Sequence, residues 1–436
     1  MTSPTRPGMR KVAAASFVGA FLEWYDFNLY AVATPLVFAK LFFPASDPLT
    51  ANLLAFVTFG VGFVFRPIGG IVFGHFGDRI GRKATLVATL LTIGLATFCM
   101  GLLPSYAAIG VGAPILLIAL RVIQGFGLGG EFGGAATLIA ENAPPGRRGF
   151  WGSLPQMGGP CGFLLGTALM ALFTGVLPGS AFLAWGWRVP FLISIALMVA
   201  GLVIRLKILE TPAFRQMTEQ GARSGFPLGE VIRRYPKNLL LAIIARLAEG
   251  GSSQVFLVFV VAYLTTSVGI SAGISVAGVA LYNAVSIVII PVFGTLADRV
   301  GLRRIYIIGL VILVLFVFPY FWLLDSKVSA LILLAMGLAP FAQNVMASVE
   351  VPFLAELVGT KVRYSGLSVI YQASAIIAGF VPAFFTWLLG KSGGAAWPIA
   401  GIVVVVGLLA IWCVTRLTRL GQEEVTGYVP TAREDQ

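Results

Sequence analysis

Gly74-His75-Phe76-Gly77-Asp78-Arg79-Ile80-Gly81-Arg82-Lys83 returns, 220 positions later, as Gly294-Thr295-Leu296-Ala297-Asp298-Arg299-Val300-Gly301-Leu302-Arg303-Arg304. Each copy interrupts long apolar runs, so each reads as a tight polar turn between two membrane helices. A turn repeated at half-length in a membrane chain predicts two similar halves, the build of a secondary transporter.

The surrounding composition fits that reading. Hydrophobic residues make up 58% of the 436 and charged residues 11%; mean hydropathy is +0.93. A bilayer-spanning helix needs about 20 apolar residues. Ala84–Leu103, Ile305–Leu324, Tyr364–Gly390 and Ser392–Thr415 carry no charge, and Gly250–Ala297 is uncharged for long enough to cross twice. Divided at its charges and its Gly/Pro/Asp/Ser breaks, the chain makes about twelve crossings. The apolar runs do not alternate as a barrel wall would. The expected fold is therefore all-α and integral to the membrane, with twelve transmembrane helices in two pseudo-symmetric six-helix halves. Expected outer loops are short, among them Pro44–Pro48, Pro104–Tyr106, Gly179–Trp187 and Gly269–Ala272.

The expected organisation is a tail at 1–11, a first bundle at 12–206, a linker at 207–237, a second bundle at 238–415 and a tail at 416–436. Arg10 and Lys11 precede an apolar stretch, but Glu23 and Asp26 interrupt it, so it reads as a retained first helix rather than a cleaved signal. The net charge of +12 does not point to nucleic acid. With the N-terminus inside, 23 of the 30 basic residues fall on cytoplasmic stretches, and the opposite side keeps Lys40, Arg188, Lys327 and Lys391. This is the positive-inside pattern, which places both termini in the cytoplasm. Cys99, Cys161 and Cys413 lie in apolar runs with no metal-binding or disulfide spacing. No Walker motif and no soluble domain occurs, so neither ATP-driven transport nor an enzyme is expected. The implied partners are the lipid bilayer, a proton and a small polar metabolite, acting on a monomer without cofactor.

Ionisable side chains at membrane depth cost about 2.5–3.5 kcal/mol each on insertion scales and mark functional sites. Glu23 and Asp26, three apart, share one face of helix one, which Tyr30 continues. Two carboxylates so close in low dielectric titrate as a coupled pair, which suits proton handling. Arg121, Gln124, Leu128 and Glu131 form one stripe on helix four, with Arg121 at the depth of Asp26; a salt bridge between these two is the simplest way to satisfy both. Arg66 and Glu131 read as an intramembrane pair between helices two and four. Arg246 and Glu249 lie in helix seven, the counterpart of helix one, with Gln254 beyond them. Tyr282-Asn283, Gln343-Asn344 and Tyr371-Gln372 fall near mid-helix, where amides and phenols suit a hydroxylated or carboxylated solute. Glu350, near the inner end of helix ten, reads as part of a cytoplasmic network. Asp78 and Asp298 belong near helix ends, where backbone dipoles and arginines hold them. Gly74, Asp78, Arg79, Arg82, Asp298, Arg299 and Arg303 are thus candidates for a cytoplasmic latch. His75 reads as a solvated loop residue.

The two repeated turns resemble the signature of the major facilitator superfamily, and Arg121-Val122-Ile123-Gln124-Gly125-Phe126-Gly127 is similar to its fourth-helix motif. A narrower resemblance, to the metabolite:proton symporters, rests on Phe21–Phe27, Phe59–Gly81, Arg121–Gly134, Trp185–Phe191, Arg363-Tyr364-Ser365-Gly366 and Ala245-Arg246-Leu247-Ala248-Glu249. It implies alternating access and proton symport, with Arg121 influencing proton exchange with an acidic partner. It also implies a small organic acid such as shikimate as substrate, or else a zwitterionic osmolyte such as proline or betaine. Gly158-Gly159-Pro160-Cys161-Gly162 is only loosely like the helix-five motif of drug antiporters, which disfavours efflux.

Overall fold

The structure, a computed structural model, describes residues 9–44, 47–80, 82–129, 143, 146–209, 232–233, 235–358 and 363–417. They form twelve long helices and a few short helical segments, Tyr106–Ile109 among them. The first half holds α1 (Met9–Ala33, continued by a π-helical turn at Thr34–Phe38 to Ala39–Leu41), α2 (Pro48–Ile80), α3 (Arg82–Leu102), α4 (Gly112–Gly129), α5 (Arg148–Val176) and α6 (Arg188–Leu209). The second holds α7 (Pro236–Gln254, running on through π-helical turns at Val255–Phe259 and Tyr263–Val268), α8 (Ala272–Val300), α9 (Leu302–Asp325), α10 (Ser329–Ala355), α11 (Arg363–Lys391) and α12 (Trp397–Arg416). Among the described residues no strand occurs. The end where α1 begins and α12 finishes is called the terminal end below.

Ten of these segments are long and apolar enough to cross a membrane. In α3 the described apolar stretch is the shorter Val87–Leu102. α1 is diluted by Glu23, Asp26 and Asn28, the residues that matter for the site. Leu54, Val57, Val64, Ile68 and Ile71 are exposed at helical spacing along α2, a stripe suited to lipid contact. Trp185, Trp322, Trp387 and Trp397 are exposed near the end opposite the termini, where amphipathic rings anchor a helix at the lipid headgroups.

Within the first half α1 packs on α5, α2 on α4 and α3 on α6; within the second α7 packs on α11 and α12, and α8 and α9 on α10. The halves meet along α2–α11, α5–α8 and α5–α10. At the end opposite the termini α1 also touches α7, between Thr34–Phe38 and Val260–Ala262. The α2–α4 contact depends on small residues: a Cβ at Gly125 would collide with the carbonyl oxygen of Gly62, and one at Gly129 with that of Arg66. Such backbone-to-backbone approach takes the place of the hydrophobic drive that is missing between helices in lipid.

The second polar turn is as sharp as its sequence requires. Gly301 adopts φ +102°, ψ 139° between α8 and α9, a conformation open to glycine and costly for other residues. One expected outer loop is instead helical. Gly179–Ala181 and a π-helical turn at Phe182–Gly186 lead directly into α6, because Phe182 and Trp187 bury their rings in the core.

Candidate functional site

Two charged clusters face each other between the halves. In the first, Arg121 on α4 is 1% exposed. Its Nε donates to the Phe59 carbonyl (3.2 Å) and its Nη1 to Gln124 Oε1 (2.5 Å). The rings of Tyr30, Phe59 and Phe27 lie 4.4, 4.8 and 5.1 Å from the guanidinium carbon, close enough for cation–π attraction. Gly62 makes the room: a Cβ there would come within 2.6 Å of Arg121 Nε. Gln124 Nε2 in turn donates to Thr97 Oγ1 at 2.9 Å, and Thr97 stands against the buried Asp26 carboxyl.

Asp26 and Arg121 are therefore linked through Gln124 and Thr97, and the direct salt bridge expected from the sequence is not formed. Equal depth on two helices did not make them neighbours, because the guanidinium turned towards the rings and the Phe59 carbonyl. The α1 face is fixed on its other side, where Asn28 Nδ2 donates to the Phe163 carbonyl (2.7 Å) and Thr167 Oγ1 (2.9 Å) of α5. Tyr30, wholly buried, has its hydroxyl without a hydrogen-bond partner. Arg66 on α2 lies over the Phe63 ring at 4.5 Å, within electrostatic reach of Glu23 and of Tyr371 and Arg246 across the interface. Its expected partner Glu131 lies outside the described residues.

The second cluster centres on Arg246 of α7. Its Nε is 3.1 Å from Glu350 Oε1 of α10 and its Nη2 3.8 Å from Glu249 Oε2. Nη1 donates to Ser374 Oγ of α11 at 3.2 Å, and the guanidinium carbon sits 3.6 Å from the centre of the Tyr371 ring. Gln343 Nε2 donates to Glu249. Tyr282 donates to Gln343 Oε1 (2.6 Å), and Asn344 Nδ2 donates to Ser286 Oγ (2.7 Å) and to the Tyr282 hydroxyl (3.2 Å). Of the residues singled out from this half, Arg246, Glu249, Tyr282, Gln343, Asn344 and Tyr371 thus come together. Asn283 turns onto its own helix, donating to the Val279 carbonyl at 2.8 Å. The side-chain oxygens of Gln254 and Gln372 are buried without a hydrogen-bond partner.

Glu350 corrects the sequence reading. It is 1% exposed and joined to Arg246, in the central cluster rather than in a network at the helix end. Its spacing of seven from Gln343 puts both on one face two turns apart, a signal that was legible. Ser286, Ser374 and Thr97 were missed with no such signal. Each is a lone hydroxyl in an apolar helix, where bonding back to the i−4 carbonyl is its usual role, as Thr97 does to Ile93 and Ser374 to Ile370.

The repeated turn supplies a third feature, at the terminal end. Asp298, at the last turn of α8, accepts from the backbone N–H of Gly149 (2.7 Å) and of Phe150 (3.1 Å). Those are orphan donors of the first turn of α5, so a carboxylate of one half caps a helix of the other. A Cβ at Gly149 would strike the Gly294 carbonyl, which is why both turns of this contact carry glycine. Arg303 donates to the Val414 carbonyl of α12 at 2.5 Å, and Arg299 is exposed. The side chains of Gly74, His75, Asp78, Arg79 and Arg82 lie outside what the structure describes.

Comparison with known proteins decides the family. A family model described as "Sugar (and other) transporter" matches residues 11–227, and one described as "Major Facilitator Superfamily" matches residues 239–432. The chain is 40% identical over 403 residues to the shikimate transporter of Escherichia coli (strain K12), covering 92% of each protein. The chain belongs to the major facilitator superfamily. It is a transporter and not an enzyme. A second relative, the inner membrane metabolite transport protein YhjE of Escherichia coli (strain K12), is 39% identical, with 92% of this chain and 93% of the relative covered. The proline/betaine transporter of the same organism is 35% identical over 92% of this chain and 82% of its own length. Among solved structures, the superfamily proton:xylose symporter XylE bound to 6-bromo-6-deoxy-D-glucose superposes with a TM-score of 0.73 over 96% of this chain and 98% of that one, at 16% identity. The human organic anion transporter MFSD10 superposes with a TM-score of 0.67 over 94% and 100%, also at 16% identity. The last two are likenesses of fold.

Proposed function

We propose that this transporter is a proton-coupled symporter that imports a small polar metabolite by alternating access. An organic monoanion, shikimate or a related hydroxy, keto or carboxylic acid, is the leading substrate class. The observation that carries the reading is a pair of buried guanidiniums, Arg121 in one half and Arg246 in the other, with amides and phenols around them. An anion between the halves would draw both clusters together. The coupling role falls to Asp26, with Glu23 beside it. Through Thr97 and Gln124, a change in the proton occupancy of Asp26 would be felt at Arg121 without a direct bond. The name of the 40% identical relative supports the substrate class. The distribution of basic residues supports a cytoplasmic terminal end in an inner membrane, with bundles at 12–206 and 238–415 joined by a 207–237 linker. We take the working unit to be a monomer, with the proton as coupling ion and no cofactor.

A shikimate uptake assay in proteoliposomes with an imposed proton gradient tests this reading. Uphill accumulation should vanish in Asp26→Asn while counterflow survives, and Arg246→Ala should raise the apparent KM at least tenfold. Accumulation indifferent to the gradient would overturn the coupling. A second reading, a zwitterionic osmolyte, is favoured by the proline/betaine relatives and by the acidic and basic groups present in both halves. It predicts that betaine, and not shikimate, raises the Tm of the purified protein by mass action.

A further inference from the structure

Two acids share one base in the second half. Arg246 contacts both Glu249 and Glu350, so the two carboxyl groups converge on one guanidinium. All three side chains are nine-tenths or more buried. Two bare carboxylates accept but cannot donate, so two that converge on a single guanidinium in low dielectric repel one another unless one carries a hydrogen. With both ionised, the cluster would hold a net buried negative charge, which is expensive; with one proton it is neutral. Among the described residues, the groups in contact with it supply no second cation. α10 brings Gln343, α8 Tyr282, α9 Tyr306, and α11 Tyr371 and Ser374, all neutral. Arg66 of α2 is within electrostatic range of Arg246, but Glu23 offsets it there. On α12 no buried residue among those described is charged.

We propose that Glu249 and Glu350 form an acid pair that binds one proton between them, a proton site in the second half separate from the α1 carboxylates. The pair exists whether or not Asp26 couples transport, so this proposal goes beyond the reading above. It also gives Arg246 a regulated availability. An anion arriving at the guanidinium displaces a carboxylate, and that carboxylate takes up a proton from the solution, which keeps the cluster neutral. Anion and proton then bind together.

The test is infrared spectroscopy of the full-length chain at neutral pH with glutamate carboxyls alone isotopically labelled. A protonated-carboxyl C=O band that shifts with the label is expected. It should be lost in Glu249→Gln and in Glu350→Gln, since each amide leaves one glutamate fully ionised against Arg246, and retained in Asp26→Asn. Absence of a labelled band in the wild-type chain, or its survival in both glutamine variants, would overturn the pair. Thermal unfolding supplies a second measurement. Each single variant should keep the wild-type Tm, because the remaining glutamate neutralises Arg246, while the double variant strands the arginine and loses Tm. If Glu350→Gln alone fell as far as the double variant, Glu249 would be a spectator and the sharing refuted.

Discussion

Removing the Asp298 carboxylate should open the terminal end of the transporter. In Asp298→Ala the first amides of α5 lose two charge-assisted acceptors, at 2.7 and 3.1 Å. A lost helix cap costs about 0.5–2 kcal/mol, and a hydrogen bond to a charged group is worth about 1.5–3 kcal/mol. The contact is half-exposed, so water takes up part of the loss, and about 2 kcal/mol is the appropriate net value. The interaction exists only while α5 and α8 touch, so nearly all of it is differential between closed and open states. At about 1.4 kcal/mol per factor of ten, the closed-to-open ratio should fall about thirtyfold. Asp298→Asn keeps one acceptor oxygen and loses the charge; about 1 kcal/mol, or about fivefold, is expected. Ser153 of α5 is wholly buried at this contact. In a background lacking Cys99, Cys161 and Cys413, the labelling rate of Ser153→Cys by a hydrophilic thiol reagent then reads the open population. The rate should rise by these factors, while a cysteine at the buried Thr386 of α11 stays slow. An unchanged Ser153→Cys rate in Asp298→Ala would refute the latch, and a parallel rise at Thr386 would mean that the whole fold had loosened.

Three further outcomes follow from the packing and the charges. Gly125→Ala drives a Cβ into the Gly62 carbonyl and should cost about 1–3 kcal/mol of overpacking, read as a lower Tm, with the helix content by circular dichroism unchanged. Arg121→Lys keeps the charge but loses the planar fork that bonds both Phe59 and Gln124; substrate KM should rise at least tenfold, and a wild-type KM would remove Arg121 from the site. Asp47, outside the membrane at the start of α2, accepts from the Thr50 hydroxyl and from the backbone of Thr50 and Leu49. These bonds, the Thr50 hydroxyl first, hold its carboxyl below the ordinary range. Its stabilisation is therefore full above the unfolded-state value and disappears as pH falls through the lower folded value. Asp47→Ala should erase that acid-side dependence in a Tm-versus-pH series and leave the neutral-pH dependence unchanged.

The fold was legible because its determinants are local and repeated. Apolar run lengths set the number of helices, and the doubled Asp-Arg turn set the two halves. Gly301 could be read as a turn because a left-handed φ needs glycine. The π-helical turns of α1 and α7 could not, since Thr34–Phe38 and Val255–Phe259 differ from their neighbours in no composition that dictates an extra residue per turn. The helical entry to α6 was hidden for a related reason. Gly179, Ser180 and Gly186 look like loop residues, and only the burial of Phe182 and Trp187 against the rest of the half overrides them.

The site divides along the same line, between what one helix decides and what two helices decide. Depth and face belong to a single helix, so Asp26, Arg121, Arg246, Glu249, Tyr282 and Gln343 could be placed at the centre by counting residues. Pairing belongs to the rotation of two helices about their axes and to the rotamer of a long side chain, which no spacing records. Arg121 had Asp26 available at its depth and took instead four aromatic rings within about 6 Å, a carbonyl and an amide. That choice has a physical sense in a carrier. A direct buried pair, once formed, is costly to break, whereas a cation held by rings and neutral dipoles keeps its charge uncompensated and open to an incoming anion. Arg246, by contrast, is already in contact with carboxylates, and an anion reaches it only by competition. The two arginines therefore differ in what they ask of a substrate. Arg121 offers charge directly, and Arg246 offers it in exchange for a proton taken up by a neighbouring glutamate. An anion bound between them would be held by the first and linked to acid by the second. Substrate affinity in Arg121→Lys should accordingly fall by the same factor at every pH. In the double variant Glu249→Gln/Glu350→Gln, which leaves no carboxylate beside Arg246 to take up a proton, it is the pH dependence of affinity that should flatten, and a pH profile identical to the wild-type one would break this division of labour.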